Sequence, residues 1–142
     1  MGVATRSKYG NQKVKVDGIT FDSKAEAMYY NQLKWMKANK QIKDFELQPR
    51  FELLPSFSKN GKHYQNIEYI ADFKVIKADG SYEIIDVKGK ETEVFLIKQK
   101  LFERIYLDTV KVLKLVDGHG FMDMDEYKKL EKEAKKRVRK AK

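Results

Sequence analysis

Two stretches of alternating residues joined by an Asp-Gly turn set the tightest limit on how this chain folds. Ile67, Tyr69, Ala71, Phe73 and Val75 fall on one face of an extended strand, with Ile70, Asp72 and Lys74 on the other. Asp79-Gly80 then reads as a hairpin turn. On the return strand Tyr82, Ile84, Asp86 and Lys88 share one face, and Glu83, Ile85 and Val87 take the reverse. Every other element has to be arranged around that antiparallel pair.

The flanking text alternates between helical and extended patterns. Val14, Val16 and Ile19 around Asp17-Gly18 suggest a small hairpin or an extended lead-in. Ser23-Lys24-Ala25-Glu26 has the form of a capping box, so a helix is expected from there to about Ala38, burying Tyr29, Leu33 and Met36 with Trp35 on the flank. Phe45, Leu47, Phe51 and Leu53, interrupted by Pro49 and closed by Pro55, read as one edge or bulged strand, because proline cannot donate to a central ladder. Ser56 to Lys62 reads as a polar loop. After Gly89, Thr92 can cap a helix to about Tyr106 with an apolar stripe of Val94, Ile97, Leu101 and Ile105, Phe95 and Phe102 lying beside it. Val110, Val112, Leu113 and Leu115 make a further short strand. Beyond the turn at Gly118 and Gly120, Asp123 opens a charged helix with a narrow stripe of Tyr127, Leu130, Ala134 and Val138. The order predicts a single α/β or α+β domain, a mixed sheet flanked by helices. A basic arm is expected over 1–15, the core over 16–120, and a basic C-terminal helix or tail over 121–142.

Composition narrows the chemistry. A length of 142 residues suits one core, and 42% hydrophobic residues are a globular value. No apolar run approaches a membrane span and the N-terminus lacks a secretory pattern, so a soluble cytoplasmic protein is expected. With no cysteine there is no thiolate metal site or cysteine nucleophile, and His63 and His119 are too few for a histidine cage. A divalent ion would be held by oxygen, which favours Mg²⁺, with Mn²⁺ able to substitute. The net charge is +9, and it is concentrated at the ends: +7 over residues 128–142 and +3 over residues 1–24. Lys136, Arg137 and Arg139 lie in the more basic end. A nucleic acid, an acidic protein or an acidic membrane surface would each answer to that charge.

The pattern acidic-x-Lys occurs at 22–24, 72–74, 86–88, 126–128 and 133–135, so alone it carries nothing. Only the second and third copies fall on the hairpin strands. Alternation places Asp86 and Lys88 on one face, about 7 Å apart, and pairing across the turn can bring Asp72 beside Asp86. Two such carboxylates repel unless a cation lies between them. A divalent metal would relieve that repulsion and could polarise a water for attack on phosphorus, while Lys88 stabilises the growing charge.

Glu26, Ile70-Ala71-Asp72 and Ile84-Ile85-Asp86-Val87-Lys88 together resemble the PD-(D/E)xK nuclease superfamily. The longer text is similar to small phage and prophage proteins of that superfamily: Asp17 to Ala27, Leu47-Gln48-Pro49, Tyr69 to Phe73 and Asp86 to Gly89. The resemblance covers about residues 9–115. It implies a restriction-endonuclease-like core in which Asp72, Asp86 and the carbonyl of Val87 hold the metal. Glu26 would bind a second metal or a metal-bound water, and Lys88 would be the catalytic lysine. Ala71 stands where the superfamily name has proline, which is not a ligand. Lys98 and Lys100 stand where relatives place basic residues near the scissile phosphate. By the same analogy the substrate is DNA, branched as for a Holliday junction resolvase, and the enzyme is a homodimer. Structural readings stand beside these: Glu26 as a capping-box residue, Asp86 and Lys88 as a plain ion pair, Asp22 as part of the helix start, and Tyr64 as a core aromatic instead of a base-stacking one. A non-catalytic DNA-binding accessory protein, or an interaction protein with a basic tail, are the competing functions.

Overall fold

The structure is a computed structural model that describes residues 12–141; most of the expected basic arm, with Tyr9, lies outside the described residues. Its centre is a five-stranded mixed sheet. Asp17-Gly18 turns the chain between β1 (Val14–Val16) and β2 (Ile19–Phe21), so the lead-in is a true hairpin. The helix that follows, α1 (Lys24–Ala38), starts where the capping box places it, with the Ser23 side chain accepting from the Glu26 N–H at 3.1 Å. It buries Tyr29, Tyr30 and Leu33, while Trp35 is exposed.

The apolar run from Phe45 to Leu53 is two strands in two sheets, not one bulged strand: β3 (Ile42–Leu47) and β4 (Arg50–Leu54). Pro49 has no N–H with which to continue a ladder, and Gln48 before it turns the chain with φ near 50°. The strand expected over 67–75 divides in the same way, into β7 (Ile67–Ile70) and β8 (Phe73–Lys77). These two breaks lie against each other. Gln48 N–H donates to the Asp72 carbonyl at 2.9 Å, and Ala71 N–H donates to the Pro49 carbonyl at 3.1 Å. Both chains therefore leave the central sheet at one corner and form the β4–β7 ribbon. Between them, residues 56–62 are not a loop. Asn60-Gly61, both at positive φ, turns a hairpin of β5 (Phe57–Lys59) and β6 (Lys62–Tyr64). Its flanks are too polar to show an apolar alternation, so only the Asn-Gly pair betrays it.

Asp79-Gly80 joins β8 to β9 (Tyr82–Val87) with the expected antiparallel register, Phe73 opposite Ile85. Thr92 caps α2 (Glu93–Ile105), which crosses over so that β10 (Val110–Val116) lies parallel to β9. Gly118 and Gly120 then turn the chain into β11 (Gly120–Asp123), a strand too short and mixed to be read from its sequence. It carries the sheet past residue 120, and Phe121 packs edge-on against Tyr29 in the core. Asp123 caps α3 (Met124–Lys140). The sheet order is β11-β10-β9-β8-β3. One face, with Phe73, Val75, Ile85, Val87 and Leu113, packs on α1. The other, with Ile84, Val110 and Val112, packs on Phe95 and Phe102 of α2. Among the described residues no helix is long and apolar enough to cross a membrane.

Two apolar stripes do not go where their periodicity points. On α2 the buried residues are Phe95 and Phe102, whereas Val94 is 63%, Ile97 60%, Leu101 38% and Ile105 50% exposed. The larger aromatic rings take the sheet-facing side, since they bury more area and interlock with Phe51, Tyr69 and Tyr106. On α3 only the first turns pack; Leu130 and Val138 are exposed. Phe102→Ala should accordingly cost about 3–5 kcal/mol in urea unfolding, and Val138→Ala no more than about 0.5 kcal/mol. Comparable losses from the two would mean that α3 is packed along its length.

Candidate functional site

Asp72 sits in the break between β7 and β8, and Asp86 is the penultimate residue of β9, so strand pairing brings them together at the sheet corner. The two are tied reciprocally. Asp72 N–H donates to Asp86 Oδ1 at 3.0 Å, and Val87 N–H donates to Asp72 Oδ2 at 2.8 Å. Asp86 is 1% exposed, and its Oδ2 accepts from the Tyr69 hydroxyl. Tyr69 reaches it from β7, the strand that left the central sheet. In the sequence it reads as an inward-facing aromatic at the head of the Tyr69 to Phe73 segment, and nothing in the alternation marks its hydroxyl as a partner for Asp86.

Glu26 comes from the first turn of α1 and lines one cavity of about 70 Å³ with Asp72, Gln48, Thr20, Phe21 and Leu47. That is room for several waters. The capping box supplies its ordinary half, the Ser23 hydroxyl accepting from the Glu26 N–H, while the Glu26 carboxyl faces the cavity. In the sequence Gln48 stands in the Leu47-Gln48-Pro49 segment that carries the resemblance, with no role attached to it; its place in this cavity follows from the sheet switch. Lys88 follows β9, with its Nζ 4.5 Å from the centre of the Phe95 ring. The cation–π contact holds the ammonium at the corner, where its charge acts on both Glu26 and Asp72.

The electrostatics are dominated by burial. Asp72 is pushed up to about 9, first by burial and then by the charges of Asp86 and Glu26, with the Val87 N–H and Lys88 pulling the other way. Glu26 is pushed up to about 7 by burial and by Asp22, against Lys88. Burial and Asp86 raise Tyr69 as well, so its hydroxyl keeps its proton and stays a donor. Carboxylic groups this far above their ordinary range mark a site where negative charge is crowded and one positive charge is not enough.

The four residues Glu26, Asp72, Asp86 and Lys88 are thus brought into one electrostatic neighbourhood. Among the described residues, however, no group of three acidic or histidine side chains is arranged as a ready metal cage, and each Asp86 oxygen already accepts one hydrogen bond, from Tyr69 or from the Asp72 backbone. The donor set still suits a hard cation: adjacent carboxylates on one corner, the Val87 backbone next to them, and Glu26 and Asp72 facing one small cavity. Lys98 is half-buried on α2, one turn beyond Phe95, while Lys100 is exposed on the outer side. Lys136, Arg137 and Arg139 are all exposed on the outer half of α3.

Two measurements probe this arrangement. Tyr69→Phe leaves a buried carboxylate without its hydroxyl donor and should destabilise the protein by about 1–3 kcal/mol in urea unfolding; no loss would place the hydroxyl in solvent. Asp72 has a folded-state value above its unfolded one, so the stability it contributes is complete below about pH 4 and is lost as pH rises towards 9. In chelator, the melting temperature should fall from pH 5 to 8.5, and Asp72→Asn should flatten that fall and gain about 1–3 kcal/mol at pH 8. An unchanged pH slope would show that Asp72 is ionised and at ease in the metal-free protein.

Comparison with known proteins gives one relationship. Neither a curated protein nor a solved structure matched the chain. A family profile described as "Protein of unknown function (DUF1064)" matches residues 6–119, which spans β1 to β10 with α1 and α2. This chain belongs to the DUF1064 family, and the Asp72–Asp86 corner falls within the region that defines it.

Proposed function

We propose that this protein is a Mg²⁺-dependent DNA endonuclease of the PD-(D/E)xK type, hydrolysing phosphodiester bonds with a preference for branched DNA. The observation that carries the reading is the locked Asp72–Asp86 pair at the end of adjacent strands, with Glu26 and Lys88 in its field. Asp72, Asp86 and the Val87 carbonyl would hold a Mg²⁺ or Mn²⁺ ion, and Glu26, which lines the same cavity as Asp72, would bind a second metal or a metal-bound water. A bound divalent ion supplies polarisation of a water and of a phosphate oxygen for in-line displacement. Asp72, which holds a proton at neutral pH, would have to give it up to serve as a ligand. Glu26, titrating near 7, is suited to taking a proton from the attacking water. Lys88, held over Phe95, would stabilise charge on the phosphorane. Lys98, Lys100 and the tail residues Lys136, Arg137 and Arg139 would contact the DNA backbone.

One observation favours a second reading, a non-catalytic DNA-binding accessory protein: the oxygens of Asp86 are already committed to protein donors. The two readings part in a single assay. Four-way junction, linear duplex and single-stranded DNA are incubated with Mg²⁺, Mn²⁺ or EDTA. The nuclease reading expects cutting with either metal, none in EDTA, and the junction cut fastest. Asp86→Ala should reduce cleavage at least 100-fold with DNA binding nearly intact. Binding without cutting under every condition would leave the accessory reading.

The exposed α2 stripe supports a homodimer, in which Val94, Ile97, Leu101 and Ile105 of two copies cover one another. A stable interface buries roughly 800 Å² per partner, and this stripe can supply its apolar centre within a polar rim that includes Arg104. Light scattering should give a dimer for the natural chain and a folded monomer for Ile97→Glu with Leu101→Glu. A monomer in both would remove the dimer.

A further inference from the structure

The β5–β6 hairpin contributes nothing to either core cluster, and every residue of its two strands is exposed. A protruding ribbon of this kind has to be explained by what it touches outside the molecule, because it buries little of its own. Its register puts Phe57 opposite Tyr64, Ser58 opposite His63, and Lys59 opposite Lys62. Alternation then places Phe57, Tyr64, Lys59 and Lys62 on one face, with Ser58 and His63 on the other, joined at 3.2 Å.

The composition of that face is unusual for a structural hairpin. Like charges directly opposite one another destabilise a strand pair, yet Lys59 and Lys62 face each other. Neither makes an ion pair among the described residues. Residues 55–66 contain no acidic side chain at all. The neighbouring pair is aromatic: Phe57 and Tyr64 stack with centroids 4.8 Å apart and planes 11° from parallel, both rings about 40% exposed. Lys62 Nζ lies 5.1 Å from the Tyr64 ring centre. Two unpaired cations beside a flat aromatic stack form a surface for a polyanion that also carries π-faces, which is the description of a nucleic acid strand.

The hairpin is also tethered to the candidate site. The β4–β7 ribbon leaves the central sheet at Pro49 and Ala71, directly beside Asp72, and ends at the hairpin. Fully extended, the chain from Pro49 to the Asn60 tip spans at most about 40 Å, little more than the roughly 34 Å of one DNA helical turn.

We propose that the β5–β6 hairpin is a DNA-contacting arm, in which Lys59 and Lys62 bind phosphates and the Phe57–Tyr64 stack receives an unpaired base at a branch. It rests on the DNA reading above and assigns the branch preference to a named element. The arm binds independently of the metal, and it reaches DNA within about one turn of the bond at the Asp72–Asp86 corner.

The test is fluorescence anisotropy of the full chain in EDTA, with a labelled four-way junction and a linear duplex, across a salt series. Lys59→Ala with Lys62→Ala should lower the slope of log affinity against log salt by about 2 on both DNAs. Phe57→Ala with Tyr64→Ala should weaken junction binding on the order of tenfold, and duplex binding less. The aromatic change can also open the hairpin, so the lysine pair, which leaves turn and stack in place, decides alone. If the natural chain binds DNA and the lysine variant keeps its affinity and salt slope, the arm is overturned and the nuclease reading stands. If the natural chain binds neither DNA, both fall together.

Discussion

The structure depends on one clasp: two carboxylates that each accept a backbone N–H from the other's strand. Asp86 holds the Asp72 N–H and Asp72 holds the Val87 N–H. Two backbone donors that the broken ladder would otherwise strand are satisfied in this way, and together they close the corner where both β3 and β8 give way to the outer ribbon. Without the clasp the broken ladder would leave backbone groups unpartnered. With it, the break becomes the place where functional groups from α1, β9 and the ribbon converge.

The same clasp is electrostatically expensive. Acidic groups share a buried corner with one ammonium, and the result is that Asp72 and Glu26 are pushed well above the ordinary carboxylate range. A chain optimised for stability alone would put an apolar side chain at one of these positions. Gln48 adds a non-glycine residue at positive φ beside the cavity, a conformation that is uncommon and costs free energy. Strain and crowded charge meet here where the two apolar clusters adjoin, with Phe21 and Phe73 of one lining the cavity and Tyr69 of the other donating to Asp86.

Function also shapes the surfaces. A solvated helix has no physical need for Val94, Ile97, Leu101 and Ile105 in a row, nor a short hairpin for opposed lysines beside stacked rings. Each feature forgoes some stability of the isolated chain, and the proposals above account for each by a partner: a second copy for the first, DNA for the second. α3 is different in kind. It packs at Met124 and Tyr127 and beyond them is an exposed basic helix, so its stability owes little to the core.

Local chemistry alone determined much of this protein: the ends of α1 and α2, set by Ser23 and Thr92, the turns at Asp17-Gly18 and Asp79-Gly80, and the register that puts Asp72 next to Asp86. Those follow from hydrogen bonds and dihedral preferences acting over a few residues. The tertiary structure decided what depends on competition between distant parts. It chose which face of α2 is buried, because Phe95 and Phe102 fit the sheet better than the aliphatic stripe. It divided two apparent strands into four, because Pro49 and Ala71 meet. It also gave Asp86 a hydroxyl partner from Tyr69. Periodicity records that a residue is apolar or polar; only packing settles which neighbour, among several of equal hydrophobicity, it will face.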